Sequence, residues 1–289
     1  MAPARKALLQ IHLCVVIWGF TAILGKLITL PAFALVWWRM ILVVVAVALL
    51  PAFWRGVRQM SPRTLAIFAG IGIVIALHWI AFFASIKLAN ASVAATCMGV
   101  APLIMSVVEP WITRRRFEPI ELAIGIAAIP GVMLVVGGTP DAMRPGVAVG
   151  ILSALLVAIF GSLNKRHIAA GEPLAVTGVE LASGTVFMTL VALAFGGAWT
   201  SLPLPGLQDL GLLLVLSIVC TLFTFVVSLA ALRHLSAYTA QLAVSLEPVY
   251  AVLLAIVLLG EQRELGPQFY AGLAIILGGV LVHAARRRA

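Results

Sequence analysis

The sequence predicts an all-α membrane protein, ten transmembrane helices arranged as two inverted five-helix repeats around a central cavity. Three observations predict it: an apolar composition, ten apolar runs on short connections, and an internal repeat. Of the 289 residues, 63% are hydrophobic and 10% are charged, and the mean hydropathy is +1.16. A soluble domain has no way to hide that much apolar surface.

A span needs about 20 mostly apolar residues. The runs that qualify are 7–29, 33–53, 65–86, 91–112, 119–137, 146–167, 174–196, 208–230, 236–259 and 268–284. The formal net charge of +9 is held in short basic clusters between these runs. That is the pattern of membrane orientation rather than of a nucleic-acid partner, with contact to anionic lipid as a second reading. With the N-terminus inside, the cytoplasmic side collects 14 of the 19 basic residues, so both termini are expected in the cytoplasm. The first apolar segment outruns a signal peptide and lacks a small-residue cleavage site, so it reads as a retained helix. Cys14, Cys97 and Cys220 each lie inside an apolar run without metal-like spacing, and read as packing residues.

A shift of 146 residues lays "ASIKLANASVAATCMGVAPLIM" over "AALRHLSAYTAQLAVSLEPVYA". It pairs Lys87 with Arg233, Ala94 with Ala240 and Pro102 with Pro248; one inserted residue later, Gly125 meets Gly272. The chain therefore divides into repeats 1–140 and 141–289. Five spans is an odd number, so the second repeat enters the membrane upside down. Inverted repeats of this kind mark transporters, with the site between them near the midplane.

Pro102 and Pro248 fall at the centres of spans four and nine. A mid-helix proline frees a carbonyl that a neighbour or cavity water must satisfy, so the pair reads either as packing kinks or as loosened helices beside one space. Glu247 shares that depth, where an acidic residue costs roughly 2.5–3.5 kcal/mol on insertion scales and so faces protein or water. Glu109-Pro110 in "SVVEPWI" lies five residues before Arg114, and Glu109 is expected to snorkel to the cytoplasmic interface and pair there.

The remaining polar and aromatic residues complete the expected site. Trp18 lies well inside span one, as a packing ring or a binding surface, with Lys26 near its outer end. Arg39 in span two can snorkel, pair with an acid or attract a carboxylate. In span three His78, Phe82 and Ser85 share one face and Trp79 the next, which makes His78 the better candidate for touching solute. Asn164 and Glu180 lie towards the cytoplasm, at an inner gate. Tyr238, Gln241, Ser245 and Pro248 follow one face of span nine. The substrate-binding set is thus Trp18, His78, Trp79, Phe82, Tyr238, Gln241 and Ser245; the coupling or gating set is Lys26, Arg39, Glu180, Glu247, Pro102 and Pro248. No HExxH, CxxC, Walker A or GxSxG occurs. The chain reads as no enzyme, needs no cofactor or metal, and must draw on a gradient.

With these residues in view, the chain resembles the ten-helix EamA-type branch of the drug/metabolite transporter superfamily over nearly its full length. Trp18-Gly19 with Lys26, Arg39, the matched Pro102 and Pro248, and Leu259-Gly260-Glu261 ending helix nine carry the resemblance. The glycines of helices five and ten (Gly125, Gly131, Gly272, Gly278, Gly279) add to it. The resemblance implies a five-plus-five inverted fold and a secondary transporter in a bacterial-type inner membrane. Its substrates would be small metabolites, amino acids foremost, exported by alternating access with a proton as the candidate coupling ion. Import or facilitated diffusion of another metabolite, or a lipid-handling role, is the alternative. One departure stands out. The family usually ends helix four with its own Leu-Gly-Glu, and "WITRRR" occupies that position here.

Overall fold

The computed structural model describes residues 3–195, 202–244 and 246–286, a few helical residues among them by backbone alone. All regular structure among these residues is helical. The helices are α1 (Pro3–Leu27), α2 (Ala32–Ala48), α3 (Pro51–Arg58), α4 (Pro62–Leu88), α5 (Ala91–Met98), α6 (Ala101–Thr113) and α7 (Pro119–Gly137). There follow α8 (Arg144–His167), α9 (Pro173–Phe195) and α10 (Leu207–Leu214), which runs through a π-helical stretch (Val215–Phe223) into α11 (Thr224–Leu232). The chain closes with α12 (Ala237–Val244), α13 (Glu247–Leu259) and α14 (Pro267–Arg286).

Among the described residues six helical segments are long and apolar enough to cross a membrane, or seven if the bent pair α2–α3 counts as one. The protein is therefore a multi-pass membrane protein. Three expected spans take a different form. Span 33–53 stops at Ala48, because Pro51 cannot continue a helix, and α3 leaves it at 89°. Spans 91–112 and 236–259 were read as continuous helices kinked at their prolines. Each is divided in two near its centre, although Ala91–Thr113 still runs as one segment long enough to cross. Pro102 and Pro248 stand in the first turns of α6 and α13, where a missing N–H leaves no bond unmade. At the first break, 3₁₀-type bonds from Gly99 N to Thr96 O (2.9 Å) and Val100 N to Cys97 O (3.1 Å) tighten the chain.

The repeat is visible in these breaks. A shift of 146 residues carries Ala91–Met98 onto Ala237–Val244 and Ala101–Thr113 onto Glu247–Leu259. It also carries Arg114 onto Gly260, and both hold the left-handed backbone that ends their helices, at φ 57° and 70°.

α5 is buried at every residue, enclosed by α8, α13, α4 and α1. α4 lies between α8 and α9. The approach to α9 is close because Gly72 has no Cβ: one there would strike the Glu180 carbonyl, and Ser183 Oγ donates across the gap to Ala69 O at 2.9 Å. Small residues serve this purpose wherever lipid supplies no hydrophobic drive between helices. Away from the centre α7 and α14 pack on one another through Gly131 and Gly272.

The two left-handed caps give opposite predictions. A β-carbon in this conformation costs roughly 1–2 kcal/mol, and no neighbour lies within reach of one at Gly260. Gly260→Ala should therefore lower the thermal unfolding midpoint in detergent, while Arg114→Gly should raise it slightly. The same sign for both would show that backbone strain is not what distinguishes the two sites.

Candidate functional site

A cavity of about 140 Å³ lies between the two halves of the chain. Its walls come from α1 (Ile11, Trp18, Thr21), α2 (Arg39) and α4 (Ile75, His78, Trp79, Phe82), with Met98 and Met105 of α5 and α6. The second half supplies Phe160 and Asn164 of α8, Phe225 to Leu232 of α11, Ala240 and Val244 of α12, and Glu247 of α13. Most of the wall is aromatic or aliphatic. Two charged side chains interrupt it.

Arg39 is 1% exposed and forms no ion pair among the described residues. Its Nε donates to Thr221 Oγ1 at 2.6 Å, its guanidinium stands 3.8 Å from the Trp79 ring centroid and 5.6 Å from that of Phe83, and its Nη1 has no partner. A cation over a desolvated tryptophan face gains about 2 kcal/mol, which offsets part of the burial. Thr221 reaches it from the π-helical stretch, and its hydroxyl also donates to the Leu216 carbonyl at 2.6 Å. Such π turns insert one residue and re-aim those that follow. Glu247 opens α13 with its side chain on the same cavity. It feels the charge of Arg39 without meeting it as an ion pair. A cation and a carboxylate thus face one apolar chamber, each with bonding capacity unused.

His78 is anchored on one side. Its Nδ1 lies 2.9 Å from both the carbonyl and the Oγ of Ser153, and Ser153 Oγ donates to the His78 carbonyl at 3.0 Å. A carbonyl only accepts, so Nδ1 carries the hydrogen and Nε2 is left as an acceptor. The ring is roughly parallel to Phe82, with centroids 6.3 Å apart. Trp79, expected on the neighbouring face, also lines the cavity, because Arg39 and Phe225 cover it from α2 and α11. Trp18 donates its Nε1–H to Thr224 Oγ1 at 2.9 Å, which holds α1 to α11 at the chamber wall.

The structure thus gathers Trp18, Arg39, His78, Trp79, Phe82 and Glu247. It leaves others elsewhere. Lys26 is exposed beyond the chamber. Pro102 and Pro248 are buried at the helix breaks. Glu180 is fully buried behind Asn164. Tyr238 is buried outside the cavity, its backbone N–H donating to Glu109 Oε2 at 2.8 Å. The side chain of Gln241 and the whole of Ser245 lie outside the described residues. Phe160 and Phe225 are wall residues the sequence did not single out; Thr221 and Thr224, which orient Arg39 and Trp18, were missed as well.

The two ends of the chamber are built differently. Its lining runs from Arg39 and Glu247 towards Ile11, Asn164 and Leu232, at the helix ends that carry Lys165, Arg166 and Arg233. The opposite end is tied shut. Thr29 donates from N and Oγ1 to Asp209 at 2.9 and 2.7 Å. Glu261 accepts from Ala91 N, Ser92 N and Ser92 Oγ at 2.7–3.0 Å, capping α5, and Asn90 donates to Glu264 at 2.9 Å. On the basic side the position equivalent to Glu261 is Arg115, as "WITRRR" dictates. The capping role has moved to Glu109. Expected to snorkel, Glu109 is 1% exposed, because Tyr238 N and the Arg115 guanidinium (3.3 Å) both require its carboxylate inside.

A protein of this form, helices in two related sets around a chamber, belongs to the class of membrane transporters. The profile of the EamA-like transporter family matches residues 5–137 and again 144–284. The chain belongs to that family and is a membrane transporter of small molecules. A solved structure described only as "Crystal structure of protein" shares the fold, with a TM-score of 0.68 at 18% identity over 98% of this chain and 99% of that one. No curated protein matches the sequence.

Arg39 gives a paired prediction. Thr221→Val removes its hydrogen-bond acceptor and should destabilise by about 1–3 kcal/mol. Arg39→Met removes the buried charge altogether and should raise the unfolding midpoint, as apolar replacements of buried charges often do. Thermal unfolding of both purified variants checks the signs; destabilisation by Arg39→Met would mean that its stack on Trp79 outweighs the burial of its charge.

Proposed function

We propose that the protein is a secondary transporter exporting small zwitterionic metabolites, amino acids foremost, across a bacterial inner membrane. One observation carries the reading: Arg39 and Glu247, both lacking an ion-pair partner, face one chamber of aromatic and aliphatic walls. Arg39 receives the carboxylate of the substrate, through the unpartnered Nη1, with Thr21 on the same chamber wall. Glu247 receives the ammonium group. The side chain of the substrate lies against Trp79, Phe160 and Phe225, with His78 Nε2 and Trp18 at the margin.

The helices occupy all ten predicted segments in an order that suits ten spans in two inverted halves, although several are shorter than a usual crossing. With the basic ends in the cytoplasm, the chamber opens inward and the Glu261 and Asp209 contacts close the outside. Transport then alternates between the two ends. Ions bound in a desolvated site gain in strength, so an arginine and a glutamate held apart by the fold select a dipolar solute over a neutral one.

Counterflow of labelled L-leucine into proteoliposomes tests the reading, with unlabelled leucine, its methyl ester and its N-acetyl derivative as competitors. The free amino acid should compete at least tenfold better than either derivative, since each loses one charged contact worth about 1.5–3 kcal/mol. Arg39→Met should abolish the preference over the ester, and Glu247→Gln that over the N-acetyl compound. Equal competition by all three in the unaltered protein rejects the zwitterion site.

Orientation is tested separately, in a background without native cysteines. A cysteine replacing Arg115 should react with an impermeant maleimide only from the cytoplasmic side, and one replacing Asp141 only from outside. Reaction of both from one face would sink the inverted ten-span arrangement.

A further inference from the structure

One buried carboxyl has no part in the chamber chemistry. Glu180, in the first half of α9, is 0% exposed, and neither carboxyl oxygen meets a hydrogen bond of good geometry. Asn164 is beside it, also 0% exposed, and its Oδ1 is likewise without a partner. Three acceptor oxygens therefore stand together, and among the described residues the Asn164 amide is the one donor beside the carboxyl. Native proteins almost never leave acceptors in that condition without a reason, and a bare carboxylate charge so enclosed costs several kcal/mol.

The surrounding elements supply no counter-charge. α2 offers Arg39, which is committed to Thr221 and Trp79. α3 offers Arg55 and Arg58, both exposed at the membrane edge. On α4, His78 is tied to Ser153, while Arg63 and Lys87 stand exposed at the two ends. On α8, Arg144 pairs with Asp141, Lys165 donates to Leu232 O and Arg166 to Ile112 O, with His167 at the helix terminus. α11 carries no titratable group, and Glu180 is the sole one on α9. Gly72 brings the α4 backbone against Glu180 itself, which leaves little room there. A hard metal cation takes about six or more oxygen ligands, and three orphans do not make that shell. A proton needs one.

We propose that Glu180, positioned by Asn164, is the site at which this transporter binds its coupling proton. The proposal builds on the transport reading and divides the labour between two buried acids. Glu247 faces the substrate. Glu180 sits one side chain behind the wall, and Asn164, which both lines the chamber and adjoins Glu180, connects that acid to the chamber. A carboxyl reached only through an amide is shielded from the substrate ammonium, so proton and solute occupy separate places in the same chamber.

Infrared difference spectroscopy on protein in nanodiscs reads this acid without any substrate. Stepping pH should reveal a carboxylic-acid C=O stretch that is lost in Glu180→Gln and retained in Glu247→Gln. Asn164→Ala should keep the band but shift its frequency and pH midpoint, a result that stands even if Glu180→Gln folds poorly. Exchanging choline for sodium should leave the band unchanged. In proteoliposomes Glu180→Gln should lose stimulation of leucine transport by a pH gradient while keeping counterflow near the unaltered rate. A band that survives in Glu180→Gln, or disappears on adding sodium, overturns the proton site. Absence of leucine counterflow in the unaltered protein instead overturns the transport reading and leaves the infrared result to be judged alone.

Discussion

The constraint on which the rest of the structure depends is a guanidinium buried without a carboxylate against it. Arg39 keeps its charge inside the molecule on one threonine hydroxyl, one tryptophan face and a carboxylate across the chamber. Each support places a demand on a different helix. The π-helical stretch exists where Thr221 must point at Nε, Trp79 must lie flat beside the cation, and Glu247 must open a helix rather than sit within one. The chamber is the space these demands leave between them. A neutral residue at position 39 would release all of them at once.

The two broken helices answer a related problem. The first turn of a buried helix leaves backbone donors that no lipid can satisfy. The N-termini of α5 and α12 are each met by a carboxylate from the other half of the chain, Glu261 for the first and Glu109 for the second. The halves are thereby laced together at opposite ends by the same chemistry. The lacing is unequal. Glu261 binds three donors on α5, whereas Glu109 divides its charge between α12 and Arg115.

Much of this was legible in the sequence. The apolar runs located the helices, and the shift of 146 residues that aligned Pro102 with Pro248 also aligned two helix breaks and two left-handed caps. Arg39, His78 and Glu247 were conspicuous because polar groups in apolar runs are costly and need a cavity or a partner. What escaped had physical reasons. The turn before Pro51 was hidden by apolar residues on both sides of it. Thr224 and Phe225 escaped because a π turn adds a residue and rotates everything after it, so a projection at 3.6 residues per turn misplaces them. Trp79 lines the chamber beside His78, since which face of a helix is lined depends on its neighbours. The partner of Glu109 lies 129 residues away, beyond any local pattern.

The elbow between α2 and α3 has one more consequence. α3 buries Phe53 and Gly56 against α9 and exposes Trp54, Arg55 and Arg58, the make-up of a short helix resting in a headgroup layer. Arg39 stands nine residues above the end of α2, about 14 Å at 1.5 Å per residue, close to half the thickness of a hydrocarbon core of roughly 30 Å. The elbow is therefore a depth gauge. It measures the position of the buried cation from one leaflet alone. A bilayer that thickens or thins does so, for this protein, at the far side of the chamber, where the exposed Lys26 has a side chain long enough to follow the moving surface.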